Sequence, residues 1–267
     1  MKQLKKKDLG IATIHLAPLP KHKKIFFASD FHLGNPNHIA THSREKKIVS
    51  WLDSIQQEAH ALFLLGDVFD FWFEYKHVIP KGFARLQGKL ASFTDQHIPV
   101  YFLVGNRDLW ARDYFINELN IAVLSNNASM TVNGKKFLVG HGDELSGNKN
   151  YRIIKKLIYN SPIFQWIFSK IHPRAGIPLA RCISNKIHRR SAASASTQRK
   201  DPIFSSCKEL IEPYLHHDFY IFGHTHLPYQ ASIHAASTYY NVGDWVRHFT
   251  YGVFDRDGFR LLQFAKN

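Results

Sequence analysis

Apolar residues along this chain fall into two kinds of run. Residues 24–28 (KIFFA), 62–65, 100–104 and 219–222 (FYIF) are continuous and of strand length. Between the first three, Ile48, Leu52, Ile55 and Ala59, and then Phe83, Leu86, Leu90 and Phe93, recur at helical spacing. Strand, helix, strand, helix, strand predicts a parallel sheet with right-handed crossovers. Further on, 129–132 and 135–139 flank Asn133-Gly134, a hairpin signal. Short strands are also expected around 239–241, 251–254 and 259–264, the last two joined across Asp257-Gly258. Alternation gives way to β-rich sequence in the second half, so the expected fold class is α/β, two sheets packed as a sandwich with helices outside.

Residues 144–215 interrupt this order. Ile153, Ile154, Leu157 and Ile158 form one apolar stripe, and Phe164, Ile167, Phe168 and Ile171 another, with Ser161-Pro162 as an N-cap and first-turn proline. Charges here are nearly all positive, including Lys149, Arg152, Lys155, Lys156, Arg189, Arg190 and Lys200, and 191–197 (SAASAST) reads as a loop. The domain organisation expected is a basic extension over 1–23 and one domain over 24–267 that carries a helical cap at about 144–215. The basic start lacks the apolar core of a signal peptide, and no apolar run reaches the length needed to cross a bilayer. No internal repeat is visible.

Composition narrows the class. A hydrophobic fraction of 45% and an aromatic fraction of 14% belong to a globular chain with a filled core. Cys182 and Cys207 form no CxxC pair and read as ordinary buried thiols. A net charge of +14 favours an acidic partner: nucleic acid, a phosphorylated metabolite or an anionic membrane surface.

The strand ends carry the chemistry, since ligand sites of parallel sheets lie beyond the carboxyl ends of the strands. They read Asp30-Phe31-His32, Gly66-Asp67, Gly105-Asn106, Gly140-His141-Gly142-Asp143 and Gly223-His224-Thr225-His226. A lone histidine is ordinarily a surface or satisfied core residue. Five pieces in order, each after a strand-like run, point instead to a metal centre. Carboxylates and neutral imidazoles suit Mn, Fe or Zn better than Ca. In D-x-H and H-x-H the two side chains are expected on one side of an extended backbone. Asp67 can bridge two ions, and such a pair acidifies a water and screens phosphoryl oxygens. Asp108 and Asp143 read as partners of ligands, and Trp72 and Phe73 either line an entrance or pack. His216, His217 and His234 read as surface residues.

These five pieces resemble the motif set of the calcineurin-like metallophosphoesterases. The resemblance implies that family's four-layered αββα sandwich. It also implies one metal on Asp30, His32, Asp67 and His226 and the other on Asp67, Asn106, His141 and His224. Where most of that superfamily reads G-N-H-D, this chain has Gly105-Asn106-Arg107-Asp108. An arginine guanidinium stays protonated and is no general acid, but it grips phosphate oxygens bidentately. A site without an acid suits a phosphate leaving group, whose second pKa is about 6, and so a pyrophosphate bond. G-N-R-D, with Gly66-Asp67-Val68-Phe69-Asp70-Phe71-Trp72, is similar to the UDP-2,3-diacylglucosamine diphosphatases of lipid A biosynthesis. That likeness implies cleavage to UMP and 2,3-diacylglucosamine 1-phosphate, with Asn106, Arg107 and Asp67 catalytic and a helical cap after the fourth motif. Arg107, Asn148, Asn185, Lys186 and Lys200 are the candidate substrate contacts, and two divalent ions, most readily Mn2+, the cofactors.

The favoured expectation is a cytoplasmic hydrolase of a lipid-linked nucleoside diphosphate sugar, lying on the inner face of the membrane with its basic cap on anionic headgroups. The alternatives are a phosphodiesterase or nuclease tracking a nucleic-acid backbone, and a metal-bearing scaffold without catalysis. Long aliphatic stripes with little interleaving of aromatic and basic residues speak against nucleic acid, so none is expected as a partner. All seven ligand positions are filled, which speaks against the scaffold.

Overall fold

The computed structural model describes residues 10–146, 161–178 and 201–265. Two six-stranded sheets lie face to face with helices on both outer sides. The first runs, in spatial order, β12 (Gly258–Gln263), β11 (Thr250–Asp255), β2 (Lys24–Ala28), β3 (Ala59–Leu64), β4 (Val100–Leu103), β5 (Ala122–Leu124). The second runs β1 (Ala12–Ile14), β6 (Ala128–Val132), β7 (Lys135–Val139), β8 (Phe219–Phe222), β10 (Ser237–Asn241), β9 (Tyr229–His234). The expected β2–β3–β4 block is parallel, as crossover helices require.

Strand pleat sorts each buried run onto two faces. Phe26, Ala28, Leu62, Leu64 and Phe102 face the helices α1 (His38–Ile55), α2 (Ala84–Asp95) and α3 (Asp113–Asn117). Ile25, Phe27, Ala61 and Phe63 face the other sheet and pack with Met130, Phe137, Val139 and Ile221. Continuous apolar strands are thus a consequence of burial on both faces. The Asn133-Gly134 turn has both residues at positive φ, 47° and 79°, as its hairpin requires.

Two boundaries differ from the sequence reading. The segment taken as an extension, 1–23, contributes β1, which pairs with β6, and Ile11, Ile14 and Leu19 are buried. Three residues with Thr13 between them are too few to declare a strand by periodicity. The insertion expected over 144–215 ends sooner, because α5 (Pro202–Ser206) and the turn after it bury Ile203, Cys207 and Ile211 against Leu138, Tyr220 and Phe222. That segment is the outer helical layer of the second sheet. The helix α4 (Pro162–Ser169), N-capped by Ser161, buries no residue fully, and Ile163, Phe164, Trp166 and Ile167 are exposed. Its apolar residues run round the helix instead of forming one stripe; Phe168 packs on Phe73 and Trp110. The stripe at 153–158, Cys182 and the candidate contacts Asn148, Asn185, Lys186 and Lys200 lie outside the described residues. Among those described, no helix is long and apolar enough to cross a membrane.

Candidate metal centre

All five motif pieces meet at the carboxyl ends of β2, β3, β4, β7 and β8. The backbone that delivers them is not extended, contrary to the expectation for D-x-H and H-x-H. Asp30, His32, Asp67, His224 and His226 have φ between 45° and 69°, the left-handed region. Residues with a Cβ pay of order 1–3 kcal/mol each to sit there. The cost is tolerated because surrounding contacts over-determine the turns. Asp30 N–H donates to Gly66 O (3.0 Å) and His32 N–H to Asp67 O (2.9 Å), which splices the first two loops together. Arg44 clamps the same loop by donating to Phe31 O (3.1 Å) and His32 O (2.8 Å).

Glycines in the motifs make room for this approach. A Cβ on Gly105 would stand 2.3 Å from Asp67 Oδ1, and one on Gly223 would stand 2.1 Å from Ser29 Oγ and 2.6 Å from Asp30 Oδ2.

The donor atoms form two groups. In the first, His32 Nε2 lies 3.1 Å from His226 Nε2, 3.4 Å from Asp30 Oδ1 and 3.6 Å from Asp67 Oδ2, and His226 Nε2 is 3.3 Å from Asp30 Oδ1. In the second, His141 Nε2 lies 3.0 Å from Asn106 Oδ1, 3.2 Å from His224 Nδ1 and 3.6 Å from Asp67 Oδ1. Atoms bound about 2.0–2.2 Å from one ion stand about 2.8–3.6 Å apart at ordinary coordination angles. Both groups fit that spacing, and Asp67 gives one oxygen to each. Asp30 Oδ1, fully buried, has no hydrogen-bond partner, which is how an oxygen reserved for a cation is left.

The electrostatics agree. Burial disfavours the charged imidazole of His32, but the adjacent carboxylates of Asp30, Asp70 and Asp67 outweigh it and push the ring up to about 10. Burial also opposes ionisation of Asp30, yet His226 and His32 hold its carboxyl well below the usual range. Such a pocket attracts positive charge. His224 goes the other way, lowered to about 4 by burial and then by His141. A neutral imidazole is the form that ligates a metal.

Supporting groups aim the ligands. His141 Nδ1 faces Leu65 O at 2.8 Å, turning Nε2 inward. Asp108 accepts N–H groups of Gly105 (2.7 Å), Val68 (2.7 Å) and Phe69 (3.2 Å), and so shapes the Asp67 and Asn106 loops from below. Burial, with the Asp67 charge beside it, raises that carboxyl to about 7. Asp70 Oδ1 stands 3.4 Å from His32 Nδ1 and 3.6 Å from an Arg107 guanidinium nitrogen, so it orients both. Trp72 is packed in the core at 1% exposure and lines no entrance.

Sequence reasoning missed Asp244, Arg44 and Asn241. Asp244 holds His226 Nδ1 (3.2 Å), and Asn241 Nδ2 donates to Gly223 O (2.6 Å). The sequence does carry a signal for the pair: Val242-Gly243-Asp244 follows a strand run much as Gly66-Asp67 does. His217 was expected at the surface but is 1% exposed, hydrogen-bonded to Ser129 Oγ at 3.0 Å.

Comparison with known proteins agrees with this geometry. The profile of the family described as calcineurin-like phosphoesterase matches residues 23–228. A UDP-2,3-diacylglucosamine hydrolase of Porphyromonas gingivalis is 34% identical over 252 residues, 87% of this chain and 94% of that protein. Enzymes of the same name from Histophilus somni (27% over 234 residues; 84% and 92% covered) and Yersinia pseudotuberculosis (30% over 208; 76% and 81%) are also similar. Since the family profile spans the whole set of candidate strand-end ligands, the chain belongs to the calcineurin-like phosphoesterases, hydrolases that work with divalent metal ions.

Proposed function

We infer that this protein hydrolyses the pyrophosphate bond of UDP-2,3-diacylglucosamine, giving UMP and 2,3-diacylglucosamine 1-phosphate, the reaction of lipid A synthesis after which its relatives are named. Asp30, His32, Asp67 and His226 would hold one ion, and Asp67, Asn106, His141 and His224 the second, with Mn2+ the proposed metal. When bound, such a pair supplies an acidified water and charge neutralisation at phosphorus. The chain's own groups do the rest. Arg107 grips a phosphate oxygen, and Asp70 keeps its guanidinium beside the pocket. No general acid is placed at position 107, and the phosphate leaving group needs none. Water contributes its oxygen to the phosphorus and one P–O bond of the anhydride breaks, leaving two phosphate monoesters.

One observation carries the substrate assignment: the arginine at the metal pocket is held by Asp70, and the loop that begins at Asp70 also supports an apolar helix. The loop that begins at Asp70 continues into Phe73, on which α4 rests through Phe168 at a ring separation of 4.6 Å. The exposed Ile163, Phe164, Trp166 and Ile167 therefore stand near the pyrophosphate end and would shelter acyl chains. With the +14 charge, this surface would also hold the enzyme on the inner face of an anionic membrane. The test is manganese-dependent turnover of UDP-2,3-diacylglucosamine beside a generic phosphodiester and single-stranded DNA. Preference for either comparison substrate overturns the assignment.

A further inference from the structure

The end of the second sheet away from the motif loops carries a second cluster of metal-capable side chains. Glu212 follows the turn that closes α5, His216 leads into β8, and His234 ends β9 at the hairpin to β10. Glu212 is half-buried with its side chain 6% exposed, whereas the two imidazoles are 43% and 49% exposed. Oε2 of Glu212 is taken by the Tyr220 hydroxyl and by His217 N–H (3.4 Å). Oε1 faces His216 Nδ1 at 2.7 Å, His234 Nε2 at 2.5 Å and Ser237 Oγ at 3.0 Å. The two rings lie 16° from parallel with centroids 5.9 Å apart, so both present a nitrogen edge to the same point.

We propose that Glu212, His216 and His234 form a third metal site, for one divalent cation of the zinc class. Two imidazoles and one carboxylate, brought together within 4.8 Å, are a donor set that such ions accept. The site is built, not fortuitous: Tyr220 and His217 fix one oxygen of the carboxylate, and the other, Oε1, is aimed at the rings. Spreading the donors from hydrogen-bond to coordination spacing needs only small movements of two exposed side chains. None of the three belongs to the strand-end motifs. They lie at the amino-terminal ends of β8 and β10, opposite the carboxyl ends that carry the catalytic donors. The bound ion would tie the helical layer, the start of β8 and the edge hairpin together, so its effect is on stability and not on turnover.

The experiment loads the full chain with manganese, adds equimolar to threefold Zn2+, removes free metal and counts both ions per chain. The expected result is one zinc retained beyond the manganese complement, with a rise in melting temperature on adding zinc. In His216→Gln/His234→Gln, which keeps polar exposed side chains, that zinc and that rise disappear while turnover of the diacylated substrate stays within twofold of wild type. The single variant His234→Gln should weaken zinc retention at least tenfold. Equal zinc content in wild type and double variant overturns the proposal, as does wild-type protein that keeps no zinc. Displacement of manganese with no added ion overturns it too, because the zinc would then sit at the catalytic centre.

Discussion

Asp244 Oδ2 lies 3.2 Å from Nδ1 of His226 and so turns the other ring nitrogen toward His32 and Asp30. Its second oxygen accepts N–H groups of Arg247 (3.1 Å) and His248 (2.9 Å), which fixes the carboxylate before it fixes the imidazole. Groups of this kind are typically worth about 10–100-fold in metal affinity. Asp244→Asn should weaken binding at the His226 side by that factor and leave Asn106, His141 and His224 able to hold an ion. Titration with Mn2+ should show two unequal affinities in the variant and two strong ones in the native chain. Unchanged affinities would remove Asp244 from this role.

The same carboxylate predicts an acid limb in stability. Burial opposes its charge, but hydrogen bonds from His226 and the backbone N–H groups of His248 and Arg247 outweigh burial and lower it to about 2. An unfolded Asp titrates at about 3.9. A carboxyl lowered on folding stabilises the native state above the unfolded value and loses that contribution as pH falls through the folded one. Metal-free protein should therefore lose stability between about pH 4 and pH 2, and Asp244→Asn should lose less across that window. Chemical denaturation at several pH values measures the slope.

Asp67 places one oxygen in each donor group. Asp67→Ala should abolish binding of both ions and essentially all hydrolysis. Metal analysis finding two ions still on the variant would refute the bridging role.

Arg107→Ala should lower kcat by about 10²–10³, the range for removing one oriented donor from a transition state. Arg107→Lys should not restore it fully, since an ammonium cannot grip two oxygens in a fixed fork. The pH–rate profile should keep its alkaline side in both variants. An alkaline limb that is present in wild type and absent from Arg107→Ala would mean the residue acts as an acid.

On α4 the exposed and anchoring aromatics separate two roles. Phe164 is 46% exposed, whereas Phe168 packs on Phe73 and Trp110. Phe164→Gln should reduce kcat/KM for the diacylated substrate about tenfold, given roughly 1.5–3 kcal/mol for fully burying such a side chain. Turnover of a small phosphodiester and the melting temperature should not change. Phe168→Gln should lower the melting temperature as well. Equal losses on both substrates in Phe164→Gln would mean the residue belongs to the core.

Much of this protein is determined locally. The runs at 24–28, 62–65, 100–104 and 219–222 are strands because they are short, apolar and bounded by Ser, Gly and Asp turns. Helices α1 and α2 follow from spacing, and the Asn133-Gly134 turn from two residues that tolerate positive φ. The ligand types are equally legible, since Asp, His and Asn at strand ends have little other reason to recur together. Tertiary structure decided the rest. The splice between the 30–32 and 66–68 loops, with the Arg44 and Asp108 contacts, holds Asp30, His32 and Asp67 in left-handed backbone, a conformation that no neighbouring residue selects. Asp244 becomes a partner of His226 because β10 lies parallel to β8, a pairing between segments that no short-range period encodes. The 12–14 strand and the return of the chain at Pro202 escaped notice for a related reason. Each is short, and each is stabilised by distant partners, β6 for one and the outer face of β7 and β8 for the other, so the burial that fixes it exists only once the sheets have formed.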